Sequence, residues 1–352
     1  MHPCLTRARS FTLELGIETP LLLAPMAGAC PVPLSAAVAA AGGLGACGAL
    51  LMPPDQITDW ARRMRATSNG GFQMNLWIPD PAPARNPAHE AEMRAHLAQW
   101  GPDVPAEAAD VPLQDFHAQC QAMLQAGPTA ISSIMGLYPP DFVAQMKARG
   151  IKWFANATTV AEARAAEAAG ADVIIAQGME AGGHRGAFEA ADAATAMVGL
   201  FALLPAVVDA VSLPVVATGG IADARGIAAA LLLGASGVQI GTGFLRTPEA
   251  QIAPVWADAI GRAAPEDTIA TAAFSGRLGR SIRTAYTTAD APDPAPYPVQ
   301  RALTAPMRAA AVQAGNIDAM QAWAGQSARL AQAEPADQLT ARLWRDACAL
   351  LA

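Results

Sequence analysis

Val215-Val-Ala-Thr-Gly219-Gly220-Ile221 and, at the next apolar run, Gln239-Ile-Gly241-Thr242-Gly243-Phe244 both pass from a short hydrophobic segment straight into glycines. Outward from this pair, the same kind of segment recurs along the chain. Strands are expected at Pro20–Met26, Gly45–Leu50, Phe72–Ile78, Ala130–Met135, Lys152–Ala157, Asp172–Gln177, Pro214–Thr218 and Gly237–Ile240. Their hydrophobicity is continuous rather than alternating, which fits strands covered on both faces. Alanine-rich helical stretches lie between them, among them Pro33–Ala41, Pro140–Arg149, Thr159–Ala169 and Ala222–Leu233. The last two stop at Gly170 and Gly234, where a left-handed cap is expected. Eight strands, most followed by helices, within about 250 residues predict an α/β fold of the (β/α)8 TIM-barrel type. A doubly wound sheet is the alternative. Its dinucleotide fingerprint is missing, because the turn after the first strand reads Ala24-Pro25-Met26-Ala27-Gly28-Ala29.

In such a barrel the two glycine segments are the loops after strands seven and eight, where backbone N–H groups converge on a phosphate. Glycine lets the backbone approach closely, and Thr242 adds a hydroxyl. A single Gly-Gly would read as no more than a strand end; two at consecutive ends favour a phosphate cradle. The chain's two lysines, Lys147 and Lys152, lie elsewhere in the sequence, so the cradle is expected to work by backbone dipoles.

The segment Val173-Ile-Ile-Ala-Gln177-Gly-Met-Glu180-Ala-Gly182-Gly183-His184-Arg185-Gly186 delivers Gln177 to the C-terminal end of a strand. Barrel enzymes keep their chemistry there. Gly182 and Gly183 allow the backbone to lie against a planar ligand, and the His184 imidazole can exchange a proton near neutral pH. A lone histidine would more often be an ordinary surface residue. Here the other four, His2, His89, His96 and His117, fall in the N-terminus or between strands three and four, away from the expected strand ends. Arg185 has two candidate partners, Glu180 or an anion. Asn75 places a carboxamide in an apolar run. Ser132 and Ser133 lack the Gly-x-Ser-x-Gly context of a hydrolase nucleophile.

The chain has 352 residues and a formal net charge of −7. No basic stripe is present, which argues against nucleic acid. Five cysteines without Cys-x-x-Cys or zinc spacing fit reduced thiols, a cytoplasmic protein and no metal. Residues 19–54 carry no charge. Their prolines and the Gly42-Gly43-Leu-Gly45 break favour a buried strand–helix–strand unit over a membrane span. Residues 1–264 are expected to form the barrel, with Pro79–Pro128 as an insertion after strand three that shapes the site and holds Trp100 and Phe116 as anchors. Residues 265–352 are expected to be a helical extension packed on it, reaching over the mouth through Tyr297.

The Gln177–Gly186 loop resembles the most distinctive motif of the class I nitronate monooxygenases, formerly called 2-nitropropane dioxygenases. The similarity continues through Pro25–Gly28, Gly42–Gly45, Asn75, Ser132–Gly136, Ala217–Gly220, Gln239–Leu245, Phe274–Arg277, Tyr297-Pro298 and Trp323–Gln326. It implies a TIM barrel holding FMN non-covalently, with Gly219, Gly220, Gly241 and Thr242 around the phosphate. Ala24, Pro25, Met26, Asn75, Ser132, Gln177, Gly182, Gly183 and Gln239 would complete the flavin site. His184 matches the catalytic base and the partner of the anionic nitronate, which is oxidised by molecular oxygen. A protonated imidazole would favour that anion. Tyr297 and Met135 are expected in the substrate pocket. The sequence departs from the family at Ile134-Met135, which lacks a preceding histidine, and at Trp100, where the region offers no tyrosine. An FMN-dependent enoyl thioester or NAD(P)H:quinone reductase is the nearest alternative, and a non-catalytic flavin-binding barrel the next. A monomer or homodimer is expected.

Overall fold

The computed structural model describes residues 2–110 and 112–352. Eight parallel strands form the central sheet: β1 Leu21–Leu23, β2 Gly45–Gly48, β3 Phe72–Trp77, β4 Ala130–Ile134, β5 Lys152–Ala157, β6 Val173–Gln177, β8 Val215–Thr218 and β9 Gly237–Ile240. The remaining short strand between β6 and β8, β7, is Gly183–His184. β1 pairs with β9 on one side. On its other side Leu23 N donates to Leu44 O at 2.9 Å and Leu44 N to Leu21 O at 3.0 Å, which closes the sheet into a barrel. The (β/α)8 architecture expected from the sequence is the one formed.

Alternation along the strands builds two layers inside. Leu22, Leu44, Ala130, Phe154, Val173 and Val216 pack with Phe11 and Leu15 of the N-terminal helix Pro3–Leu15 into an apolar plug. Further along the strands, at the C-terminal ends, the inward positions turn polar: Asn75, Ser132, Asn156, Gln177, Thr218 and Gln239. The period of two that fills the bottom with hydrocarbon therefore paves the top with amides and hydroxyls. Helix Val160–Ala168 starts on a Thr159–Glu162 capping box and helix Ala224–Leu232 on Asp223, so the outer ring begins where the sequence supplies caps. The uncharged residues 19–54 form β1, helix Val32–Ala40 and β2 in the interior. Among the described residues no helix is long and apolar enough to cross a membrane.

Two expectations about boundaries need correction. The segment 79–128 is not insertion throughout, because Phe116–Ala126 is the ring helix belonging to β3 and packs against helix Pro54–Thr67. Residues 265–352 are not all helical. β10 Thr268–Thr271 and β11 Gly279–Ile282 pair antiparallel, and β11 pairs in turn with β7. These strands are short, and β7 gains its partner only from a segment nearly a hundred residues away, so no local pattern marks it. The last helix, Ala336–Leu350, packs between helices Ala224–Leu232 and Val32–Ala40. It thus takes the eighth ring position, and what precedes it is an excursion over the barrel mouth. Met93, Leu97, Val104, Phe274, Tyr286, Leu303 and Met307 give that excursion and the residues after β3 a second, shared core.

Candidate active site

A cavity of about 410 Å³ opens above the polar layer. Ala24, Pro25, Met26, Asn75, Ser132, Gln177, Gly182, Gly183, His184, Gly219, Gly220, Gln239, Gly241 and Thr242 all line it. The structure therefore brings every expected cofactor-side residue to one place. Met135 does not join them; it is buried, with φ +66°. Tyr297 stands behind Trp77, with ring centroids 5.0 Å apart, and faces a neighbouring cavity. Trp100 lies in the second core, edge-on to Tyr286 at 5.4 Å, whereas Ile134 lines the main cavity.

The loop that carries His184 is built from both ends. Gln177 Nε2 donates to His184 O at 3.1 Å and its Oε1 accepts from Gly186 N at 2.8 Å, so one carboxamide ties the base of the loop. Gly183 and His184 form β7 against Arg280 and Gly279. From above, Gln326 N donates to Glu180 O at 2.9 Å and Gly325 N to Thr242 Oγ1 at 3.0 Å. A Cβ on Gly182 would lie 2.5 Å from Gly325 N and 2.7 Å from the carbonyl carbon of Ala324, which explains glycine there by close approach. Gly219 and Gly220 have φ +106° and +70°, and pack beneath Ala181 and Glu180.

Arg185 does not pair with Glu180. Its buried guanidinium donates to the carbonyls of Gln177 (2.6 Å), Ala196 (2.8 Å) and Thr158 (3.2 Å), a structural post under the loop. Glu180 instead accepts from Leu200 N at 2.9 Å and caps the helix that starts there.

His184 Nε2 lies 2.8 Å from Ser275 Oγ. The serine hydroxyl donates to Arg277 O at 3.1 Å, so Oγ accepts from Nε2–H, and Nδ1 keeps its lone pair with no partner among the described residues. The imidazole sits edge-on between Trp77 (4.7 Å) and Trp323 (4.9 Å). It is half-buried, and it lines the cavity. Burial first, then the positive charges of Arg277, Arg301 and Arg308, push its pKa down to about 3. In the free site the imidazole is therefore a neutral base.

Sequence reasoning missed several residues of the cavity. Trp77 and Asn156 lie in the same inward phase as Asn75 and Gln177, so the period of two would have found them. Arg301 and Arg308 line the cavity from the excursion. Arg308 is held by Thr304 Oγ1, Gln321 Oε1 and Arg301 O, and burial and the charge of Arg301 lower its pKa to about 10. The Arg301 side chain makes no hydrogen bond or ion pair among the described residues, and no carboxylate lines the cavity. Arg277 is paired with Asp80 at 3.0 Å, joining the excursion to the segment after β3.

Fold and site define a (β/α)8-barrel enzyme organised around one neutral histidine. Comparison with known proteins places it further. Residues 9–346 match the family model described as nitronate monooxygenase, and the chain belongs to that family of flavin-dependent oxidoreductases. It is 38% identical over 350 residues to the nitronate monooxygenase of Paraburkholderia phytofirmans, spanning 97% of this chain and 95% of that protein. A probable nitronate monooxygenase of Staphylococcus aureus is 36% identical over 341 residues, covering 94% and 95% of the two chains. Among solved structures, a nitroalkane oxidase from Streptomyces ansochromogenes superposes with a TM-score of 0.88 at 34% identity, covering 97% of this chain and all of that one. FabK from Thermotoga maritima gives 0.72 at 28%, over 97% and 96%.

Proposed function

We propose that the protein oxidises alkyl nitronates, propionate 3-nitronate among them, with FMN and molecular oxygen, giving a carbonyl compound and nitrite. The observation that carries this reading is a neutral histidine facing a cavity that contains arginines and no carboxylate. That is an environment for an anionic substrate and for removal of a proton from its neutral precursor.

The residues present fit FMN. The cavity volume lies in the usual range for cofactor sites, about 300–1,000 Å³. Asn156 Nδ2, buried at its wall, has no hydrogen-bond partner among the described residues. Thr242 Oγ1 accepts from Gly325 N, which leaves its own hydroxyl hydrogen to donate. Gly219, Gly220, Gly241 and Thr242 would hold the phosphate, and Pro25, Met26, Asn75, Gln177 and Gly183 would border the ring. When bound, FMN supplies the redox chemistry, taking electrons from the substrate and returning them to oxygen.

The chain's own groups do the rest. Arg301 and Arg308 attract the anion, and His184 Nδ1 accepts the proton when a neutral nitroalkane enters. Trp77 and Trp323 keep water from the imidazole. Once a proton and an anion share the site, the imidazolium is stabilised in a way it is not in the free protein.

Oxygen uptake with ethyl nitronate, compared with the free-flavin rate, tests the assignment together with the visible spectrum of the purified protein. Uptake no faster than free FMN would remove the enzyme reading. Rapid bleaching by NADPH without oxygen would replace it with a reductase.

A further inference from the structure

We propose that Trp77 sets the length of the alkyl group this enzyme accepts, by closing off an apolar chamber beside the reacting site. The proposal rests on the nitronate reading given above. Behind Trp77 lies a second cavity of about 100 Å³, lined by Leu50, Leu76, Ile78, Phe116 and Tyr297 as well as by Trp77 itself. Trp77 is thus shared by both cavities, and so is Leu50. On one side its ring meets His184 edge-on at 4.7 Å; on the other it meets Tyr297 at 5.0 Å with a 40° tilt. The rings of His184, Trp77 and Tyr297 make a row that runs from the base into the chamber.

This pocket is walled mainly by apolar side chains, with Asp80, Gln114 and Gln119 also in its lining, and it opens to the surface beside the exposed Leu113. It stands one indole away from where the substrate carbon must sit to meet His184. A straight chain growing from that carbon toward β3 strikes the indole face. With the indole gone, the chain enters the chamber. A methylene fills about as much space as a water molecule, roughly 30 Å³, so the chamber takes about three.

Straight-chain carboxylates are planar anions that imitate primary nitronates without reacting. Their binding to the FMN-loaded protein is read from tryptophan fluorescence and from shifts in the flavin spectrum. For wild type, affinity from butanoate to octanoate is expected to stay flat once the chain meets Trp77. In Trp77→Ala, affinity is expected to rise about fourfold for each of about three further methylenes, roughly sixtyfold in all. Trp77→Phe, a smaller change that keeps an aromatic ring against His184, is expected to fall between the two. Circular dichroism and thermal unfolding establish that each variant is folded, and Trp77→Phe carries the test alone where Trp77→Ala is not. Chain-length profiles that run parallel in wild type and the folded variants would overturn the proposal. Oxygen uptake with nitronates of the same lengths separates the two claims. Parallel profiles with normal turnover remove only the role of Trp77. The expected binding profile without turnover of any nitronate upholds the chamber and removes the reaction.

Discussion

The neutral state of His184 has a measurable consequence in the pH dependence of catalysis. An unperturbed imidazole has a pKa near 6.5, so at pH 5 only about 3% of it is neutral and able to accept a proton. With burial and three arginines lowering the value to about 3, about 99% is neutral at the same pH. The difference is about thirtyfold in the amount of competent base. The perturbation is acidification from pH 7.5 to pH 5, and the assay is oxygen uptake with a neutral nitroalkane at low concentration. Under those conditions kcat/KM reports groups of the free enzyme. The expected profile is flat, within about twofold, down to pH 5. His184→Asn, which retains a donor toward Ser275 but cannot accept a proton in its place, is expected to lose about 10²–10⁴-fold across that range. A wild-type profile that falls about thirtyfold with a midpoint near 6.5 would refute the electrostatic argument. A loss below tenfold in His184→Asn would refute the role of the base.

The same histidine affects stability. In the unfolded chain it protonates near pH 6.5 and in the fold only near pH 3, so its effect vanishes above pH 6.5 and grows as the pH falls between these values. Urea unfolding at pH 4.5 is expected to show wild type losing about 2–3 kcal/mol that His184→Asn does not lose; equal losses would count against it. Arg301→Gln removes a cation with no ionic partner from the cavity wall, and should raise KM for nitronates about tenfold while weakening its dependence on salt. An unchanged KM would exclude Arg301 from substrate capture. Gly182→Ala places a Cβ 2.5 Å from Gly325 N, so thermal unfolding should show destabilisation by about 1–3 kcal/mol together with weaker FMN retention. Asp80→Ala strands the guanidinium of Arg277, whose side chain is 3% exposed, and should cost about 3 kcal/mol in urea unfolding.

By itself the sequence determined the barrel and most of the residues that line its cavity. Strands covered on both faces must be continuously apolar, and backbone that approaches a ligand closely must be glycine; both demands are local, so Val215–Gly220, Gln239–Gly243 and Gly182–His184 carry them in plain view. The polar residues at the strand ends are equally local: Ser132, Asn156, Gln177 and Thr218 each follow an apolar residue by two, so Asn156 and Thr218 are within reach of that rule. Tertiary structure alone decided the rest. His184 has its charge state because the fold first buries it and then brings Arg277, Arg301 and Arg308, about a hundred residues away in sequence, to face it. β7 exists because β11 arrives to pair with it, and the barrel's eighth helix is the last one in the chain because the intervening residues leave to build the cap. Trp77 lies between two cavities only once Tyr297 and Phe116 have closed the second. Local pattern fixes what one segment's backbone and side chains require; fields and cavities belong to surfaces that meet only when the chain has folded, and no short window of sequence contains them.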